Sequence, residues 1–301
     1  MRSKSGALVV AVLLLCLCAW PLRATPTVGG LGERLGAGRT ISGGTPHRLI
    51  HFTFDDGPDA RTTPRLLDEL DRLGIKATFF FSASRFRGRE RRNRDAPALA
   101  RDVLSRGHSV GSHSVDHQRM ARLSPRALRA QLDENDRLFF EVFGQRTFLF
   151  RPPFGSTNAA LDRLLAARGY TNVMWNVGLA DWVERPPEQL LRTFVRVLRR
   201  NEREHGQRGG VVLLHDTHAW TVDALRLLVG HLRDRNCELL GDPEAELYDV
   251  VDSLEPFYQA ANPERPGQVA DLALLGPEAM NTRQQRLRAQ TIARCQASVA
   301  R

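Results

Sequence analysis

Short apolar runs alternate with helix-like segments along residues 49–240, and this alternation is the feature that most constrains the fold. The runs have the length and composition of buried strands, and the segments between them carry apolar residues at helical spacing. The runs lie at residues 49–54, 77–81, 108–112, 148–150, 170–177 and 211–214, with a weaker seventh at 237–240. Strands that alternate with helices pair in parallel, so the pattern predicts an α/β fold, either a barrel or a doubly wound sheet.

Helix-start and helix-stop residues separate the apolar runs. Thr62-Thr63-Pro64 begins a predicted helix that Gly74 ends, and Ser124-Pro125 begins a longer one that Gly144 ends. Asn158 begins a third predicted helix, and the pattern adds helices at residues 98–106, 187–203 and 222–233. About 200 residues in this arrangement are typical of one domain.

The N-terminus has the three parts of a secretory signal peptide. Arg2 and Lys4 precede an apolar run at residues 7–20, and Ala24 supplies a small residue near a cleavage site. We predict a signal peptide at residues 1–24 and an exported, bacterial protein; the alternative is an uncleaved anchor, although the run is short for a membrane span. Residues 25–46 are Gly/Pro-rich and predict a linker, residues 47–255 form the predicted domain, and residues 256–301 form a polar tail without an assigned role.

Composition limits the partners of the exported chain. The formal net charge is +9, and it becomes +6 without residues 1–24, which contain three basic residues and no acid. Such a charge favours anionic polymers. The Arg-rich segment 82–96 is either a solvated loop or a clamp for an anionic substrate, and since Phe86 is its only aromatic residue, no nucleic acid partner is expected. An oxidising compartment would permit a Cys237–Cys295 bridge, which two cysteines alone do not establish.

Two adjacent carboxylates, Asp55 and Asp56, directly follow the first apolar run, and Gly57-Pro58 then forces a turn. Two neighbouring carboxylates repel each other and are costly to bury together unless a metal ion or a positive side chain compensates. The pair therefore indicates either a solvated turn or a site that holds a cation.

His113 and His117 are four residues apart, and on a helical turn they would face the same way. This spacing suits two imidazoles on one metal ion. Together with Asp56 they supply two nitrogens and one carboxylate, which leaves a coordination position open for water or substrate. That ligand count is typical of a catalytic rather than a structural metal site.

Three further polar clusters follow predicted strands. They are Arg151-Pro152-Pro153-Phe154-Gly155, Asp181-Trp182 and Leu213-Leu214-His215-Asp216. Each cluster alone has an ordinary structural interpretation, such as an ion pair, a core aromatic or a buried histidine. Taken together, five clusters at the carboxyl ends of parallel strands would meet on one face, which is where barrel enzymes place their active sites.

In this order the clusters resemble the motifs of the polysaccharide deacetylase family, the NodB-homology group or carbohydrate esterase family 4, over residues 49–240. The resemblance implies a distorted (β/α)7 barrel with a single catalytic domain and a divalent metal, usually zinc, with cobalt or nickel as substitutes. It also implies hydrolysis of acetyl groups on N-acetylated, sometimes O-acetylated, sugars. Asp56, His113 and His117 would be the metal ligands.

The remaining roles follow from the same resemblance and from the chemistry of amide hydrolysis. Asp55 would be the general base, oriented by Arg151, and His215 would protonate the leaving amine. Asp181 belongs to the catalytic set through the fourth motif. The last assignments are substrate contacts: the backbone N–H of Phe154 at the oxyanion, and Trp182 and Leu213 at the acetyl methyl group.

Two positions depart from the family pattern. Phe154 stands where the family often has Tyr or Trp, and Gly178 stands where it often has an Asp three residues before the Asp-Trp pair. The expected function is an exported, metal-dependent deacetylase of peptidoglycan or chitin-type glycans. The alternatives are an O-acetyl esterase acting on xylan or an exopolysaccharide, and a non-catalytic glycan-binding protein, which would be expected to lack a ligand, the base or the acid.

Overall fold

The computed structural model describes residues 40–88, 93–260 and 276–299 as one α/β domain. The strands are β1 Thr40–Ile41, β2 Gly44–Thr45, β3 Leu49–Asp55, β4 Thr78–Phe81, β5 Ser109–Ser112, β6 Leu149–Phe150, β7 Thr171–Val173, β8 Val177–Gly178, β9 Gly209–His215 and β10 Asp249–Val250. The helices are α1 Thr63–Leu73, α2 Ala96–Ser105, α3 Pro125–Phe143, α4 Ala159–Ala167, α5 Pro187–His205, α6 Ala219–Leu239, α7 Glu255–Ala260 and α8 Pro277–Val299. Short 3-10 turns lie at Ala83–Arg87, Met120–Arg122 and Pro153–Gly155.

The strands form one curled, mostly parallel sheet. Its central order is β7-β6-β5-β4-β3-β9, with β8 on the far side of β9 and β1 parallel to β7. Among the described strands β7 and β8 are not paired with each other, so the curled sheet is a half-barrel rather than a closed barrel. The predicted α/β class and distorted barrel are confirmed, and helices between the strands cover the outer face of the sheet.

The core explains why the central strands read as continuous apolar runs. β3 and β9 are buried along their whole length, because neighbouring strands and helices cover both of their faces. Phe54 packs on Phe79 of the next strand with ring centroids 5.3 Å apart. On α1, Leu66, Leu67 and Leu70 are fully buried, as their spacing predicts.

Three predicted boundaries differ from the structure. Residues 40–45, assigned to the linker, contain β1 and β2, and both strands belong to the sheet. The predicted strand at 170–177 is two short strands, β7 and β8. The weak strand at 237–240 is wrong: most of it is the last turn of α6, because a four-residue apolar run cannot be distinguished from a buried helix segment by periodicity.

The described residues of the predicted tail lie in two helices, most of α7 and all of α8, and α8 packs beside α6. A disulfide joins Cys237 to Cys295, and Arg283 pairs with Asp249 at 2.8 Å. Of the Arg-rich segment, Arg87 pairs with Glu134 at 2.9 Å, while residues 89–92 lie outside the described residues. The predicted signal peptide and residues 25–39 also lie outside them. None of the helices in the described ranges has the length and apolarity that a bilayer crossing requires.

Candidate active site

The predicted site residues meet at the carboxyl-terminal edge of the sheet. Asp55 ends β3 and lies opposite His215, which ends β9, in the parallel register of the two strands. His113 directly follows β5, and Arg151 directly follows β6, whose Phe150 is paired with Ser112. Because the strands are parallel and in register, residues far apart in the sequence end at one level.

Asp56, His113 and His117 form a candidate metal site. One ligand atom from each lies within 4.8 Å of the others. Oδ1 of Asp56 is 3.7 Å from Nε2 of His113 and 3.4 Å from Nε2 of His117, distances suited to separate ligands of one ion. This Oδ1 is buried and has no hydrogen-bond partner among the described residues, which is costly for a carboxylate unless a cation binds it. The donor set therefore fits a divalent metal.

A loop, not the expected helical turn, brings the two histidines together. Ser114 and His117 have φ values of 67° and 58°, so the chain reverses sharply after β5 and the two rings come to 5.0 Å. Such left-handed conformations cost energy in residues other than glycine and persist only where the surroundings fix them. Here the Ser112 hydroxyl accepts from the Ser114 N–H at 3.2 Å, and the Ser114 hydroxyl accepts from the His117 N–H at 3.2 Å.

The backbone of Arg151 fixes the tautomer of His113. Nδ1 of His113 lies 2.7 Å from the Arg151 carbonyl oxygen, which can only accept, so Nδ1 carries the hydrogen. The lone pair of Nε2 then points toward Asp56. Burial lowers the pKa of His113 to about 3, although the charge of Asp56 opposes this, and the neutral ring is the form that binds a metal ion.

Asp55 and Arg151 form a buried ion pair. Nη1 of Arg151 donates to Oδ1 of Asp55 and to the Thr53 hydroxyl, each at 2.7 Å, and Nε donates to the Val173 carbonyl at 2.9 Å. Burial raises the pKa of Asp55, and the charge and hydrogen bond of Arg151 oppose that rise. Oδ2 of Asp55 lies 3.7 Å from Nε2 of His113. One carboxylate oxygen is thus held by Arg151, while the other faces the candidate metal site.

Asp181 and His215 form a second buried pair. Nδ1 of His215 donates to Oδ1 of Asp181 at 2.8 Å, so Nε2 faces the site, 4.0 Å from Oδ2 of Asp56. The other oxygen of Asp181 accepts from the His215 backbone N–H and the Thr221 hydroxyl. Burial alone would lower the pKa of His215, but the hydrogen bond and charge of Asp181, with the charges of Asp55 and Asp56, raise it to about 9. The ring is therefore poised to hold a proton at neutral pH.

The three predicted substrate contacts surround these pairs. Phe154 has a φ of 61°, is 52% exposed, and its ring lies 4.5 Å from that of His117. Trp182 is 57% exposed and meets the His215 ring edge-to-face at 5.9 Å. Leu213 is buried on the same face of β9 as His215, since residues two apart on a strand share a face.

The indole of Trp175 lies beside Gly178, the position at which the family often has an Asp. A Cβ at Gly178 would lie 3.2 Å from Nε1 of Trp175. The Trp175 ring lies 5.5 Å from the Arg151 guanidinium, and the Phe80 ring lies 4.1 Å from it. Aromatic rings thus flank Arg151, and Asp55 is its one ion-pair partner among the described carboxylates.

Sequence reasoning missed several residues that support the site. Thr53 was detectable, because it lies two positions before Asp55 and therefore on the same face of β3. Thr221 and Trp220, whose Nε1 donates to the Asp181 carbonyl at 2.7 Å, carried no sequence signal. His218, left unassigned, stacks on Trp220 at 4.6 Å.

Asp216 is a further buried acid beneath the Asp55–Pro58 turn. It is fully buried and accepts from the Thr63 hydroxyl at 2.6 Å. Burial raises its pKa to about 7, against that hydrogen bond and the charge of Arg85. A Cβ at Gly57 would lie 2.0 Å from Oδ2 of Asp216, so the turn needs a glycine there.

A family model described as polysaccharide deacetylase matches residues 42–173. A peptidoglycan-N-acetylglucosamine deacetylase from Bacillus cereus is 32% identical over 191 residues, which are 62% of this chain and 82% of that protein. A chitin deacetylase from Pestalotiopsis is 30% identical over 71% of this chain and 69% of its own length. The similar region is 29% identical to the deacetylase PgdA of Listeria monocytogenes, covering 64% of this chain, and the chain spans only 38% of that longer relative.

Among solved structures, the fold is similar to a carbohydrate esterase family 4 pseudoenzyme from Bacillus anthracis, in a mutant with restored enzymatic activity. The TM-score is 0.56 and the identity 26%, over 66% of this chain and 68% of the other. Since this fold is also found in a pseudoenzyme, the side chains of each member decide whether it is catalytic.

Proposed function

The chain belongs to the polysaccharide deacetylase family, carbohydrate esterase family 4, and on that premise we propose that it removes N-acetyl groups from N-acetylglucosamine-containing glycans. As a family member it is a hydrolase of carbon–nitrogen bonds other than peptide bonds. Relatives with deacetylase activity on peptidoglycan and chitin support these two polymers as the substrate class.

One observation carries the proposal: two buried acid–base pairs flank the same candidate metal site. In the first pair, Oδ2 of Asp55 lies 3.7 Å from Nε2 of His113. In the second pair, Nε2 of His215 lies 4.0 Å from Oδ2 of Asp56. A pseudoenzyme or a glycan-binding protein needs neither pair. Together with Asp56, His113 and His117, these pairs would supply the metal ligands, the base and the acid that the proposed reaction needs.

Asp56, His113 and His117 would hold the metal ion, with zinc as the proposed metal and cobalt or nickel as substitutes. When bound, such an ion polarises the acetyl carbonyl and makes a water molecule more acidic. The chain itself supplies an oxygen of Asp55 to accept the proton from water, while Arg151 holds the other oxygen in place. This division explains why Arg151 bonds to only one of the two oxygens.

His215 is the proposed acid for the departing nitrogen. An amine leaves poorly as an anion, so it needs a proton donor, and Asp181 keeps a proton on His215 and its Nε2 aimed at the site. The backbone N–H of Phe154 is the proposed oxyanion donor, a contribution of roughly 2.7–4 kcal/mol for one such donor. Trp182 and Leu213 are the proposed walls of the acetyl pocket.

The same acid pair favours amide over ester substrates. An oxygen leaving group depends less on protonation, so an O-acetyl esterase would gain less from the Asp181–His215 pair.

Export is part of the proposal as well, since residues 1–24 have the pattern of a signal peptide and the Cys237–Cys295 bridge is typical of an oxidising compartment.

The test is acetate release from chitin oligomers, peptidoglycan fragments and acetylated xylan by zinc-loaded protein. We expect release from one or both N-acetylated substrates, and we expect Asp55→Asn to abolish it while the protein still binds one metal ion. Full activity of Asp55→Asn would contradict the assignment of the base. Release from xylan alone would replace the amidase by the esterase.

A further inference from the structure

An exposed arginine lies on the rim of the site, two residues after His117. The Cζ atom of Arg119 is 4.2 Å from the centroid of the Phe154 ring, over its face. The Phe154 ring in turn touches the His117 ring at 4.5 Å. Two ring contacts thus connect a candidate metal ligand to a guanidinium, a span comparable to one sugar ring with its substituents.

Arg119 has no carboxylate partner among the described residues, and its side chain is exposed. The nearest acid in sequence is already engaged: Oδ2 of Asp116 accepts from the Gln118 amide at 2.9 Å and from the Gln131 amide at 3.3 Å. The charge of Arg119 therefore remains available to a ligand.

The contact with Phe154 places the Arg119 guanidinium at the rim of the site. A guanidinium is planar and presents its N–H groups as a fork at its edge. Those N–H groups match the two oxygens of a carboxylate. Phe154 follows Pro152-Pro153 and has a left-handed backbone conformation, which directs its ring toward both His117 and Arg119.

We infer that Arg119 and Phe154 form a subsite for a sugar carboxylate, which makes the enzyme prefer acidic N-acetylated glycans over neutral chitin-type chains. The inference rests on the proposed function, since it names the substrate class of the same site. In peptidoglycan-type chains the carboxylate would belong to an ether substituent of the sugar next to the reacting N-acetylglucosamine. A uronic acid in the neighbouring position carries the same group.

The experiment compares wild type with Arg119→Gln and with Arg122→Gln, an exposed arginine three residues further on as the matched control. The substrates are peptide-free peptidoglycan glycan oligomers, the same oligomers with carboxylates converted to methylamides, and chitin oligomers of equal length. Oligomers that alternate N-acetylglucosamine with a uronic acid distinguish the two sources of carboxylate. The readout is the ratio of kcat/KM for acidic over neutral substrates, from released acetate.

We expect Arg119→Gln to lower this ratio about tenfold, mainly through KM, and Arg122→Gln to leave it unchanged. Amidation of the oligomers should remove the wild-type preference to a similar extent. Equal losses on acidic and neutral substrates, or no loss, would overturn the subsite.

Binding keeps this inference separate from the proposed function. In the Asp55→Asn background, which is designed to bind without turnover, Arg119→Gln should weaken binding of the acidic oligomers about tenfold in calorimetry and leave amidated oligomers unaffected. If wild type releases acetate from no substrate, the proposed function fails, and the binding result still decides the subsite. Equal affinities with and without Arg119 would reject it.

Discussion

Replacement of Arg151 by methionine removes the positive partner of a carboxylate that is almost completely buried. In the structure Arg151 is 0% exposed and Asp55 is 2% exposed, and their N–O distance is 2.7 Å. Removal of one partner of a buried ion pair typically costs about 3–5 kcal/mol, because the remaining charge is left without compensation. We expect a loss of this size in the free energy of unfolding of Arg151→Met at pH 8.

The loss should depend on pH. Burial raises the pKa of Asp55, and Arg151 opposes that rise, so the pKa rises further in Arg151→Met. A carboxyl group whose pKa is higher in the folded state stabilises the fold at low pH, and that stabilisation disappears as pH rises from about 3.9, the unfolded value, through the folded pKa. Relative to wild type, the loss in free energy of unfolding of Arg151→Met should therefore be smaller at pH 5 than at pH 8. Once protonated, Asp55 should no longer act as a base.

The assay is urea unfolding of wild type and variants at both pH values. Arg137→Met is the matched control, because Arg137 also lies 2.7 Å from a carboxylate, that of Glu134, but on the surface. The surface variant should change little at either pH. The reasoning would be refuted if Arg151→Met were as stable as Arg137→Met at pH 8, or if its deficit were the same at pH 5.

Two further predictions concern the acid and the turn. Burial lowers the pKa of His215, but the charge of Asp181 helps to raise it to about 9, and Asp181→Asn removes that charge. The alkaline limb of the kcat/KM–pH profile on chitin oligomers should therefore move toward or below pH 6.5. An unmoved limb would contradict the role of His215. Gly57→Ala places a Cβ 2.0 Å from Asp216 and should lower the free energy of unfolding by about 1–3 kcal/mol in urea titrations. Gly230 lies in a helix, and a Cβ there would meet no atom within 4 Å, so Gly230→Ala should stabilise the protein by up to about 1 kcal/mol. Equal effects of Gly57→Ala and Gly230→Ala would contradict the packing argument.

The strand ends were predictable because local sequence determines them. Asp55, His113, Arg151 and His215 each follow an apolar run, and parallel strands bring such ends to one edge whatever their exact register. Sequence alone was therefore enough to gather the candidate site on one face. It was also enough to place most helices. Gly74 and Gly144, for example, end α1 and α3 in left-handed conformations that glycine readily adopts.

The rest depended on contacts between distant segments. Thr221 bonds to Asp181 across 40 positions, and no local pattern marks such a partner. The loop from His113 to His117 was predicted as a helical turn, since the four-residue spacing fits a helix, but hydrogen bonds to the Ser112 and Ser114 hydroxyls stabilise a different path. The contact between Trp175 and Gly178 likewise depends on the tertiary structure, in which β7 pairs with β6 while β8 pairs with β9.

The central claim is that Asp56, His113 and His117 bind one divalent ion beside Asp55. The most direct measurement is the visible absorption of cobalt-loaded protein, titrated to its stoichiometric end point, in wild type, Asp55→Asn and His117→Ala. We predict one ion per chain and cobalt ligand-field bands in wild type and in Asp55→Asn. In His117→Ala the bands should be lost, or the midpoint of the cobalt titration should shift at least about tenfold. Identical spectra and affinities in wild type and His117→Ala would contradict the account.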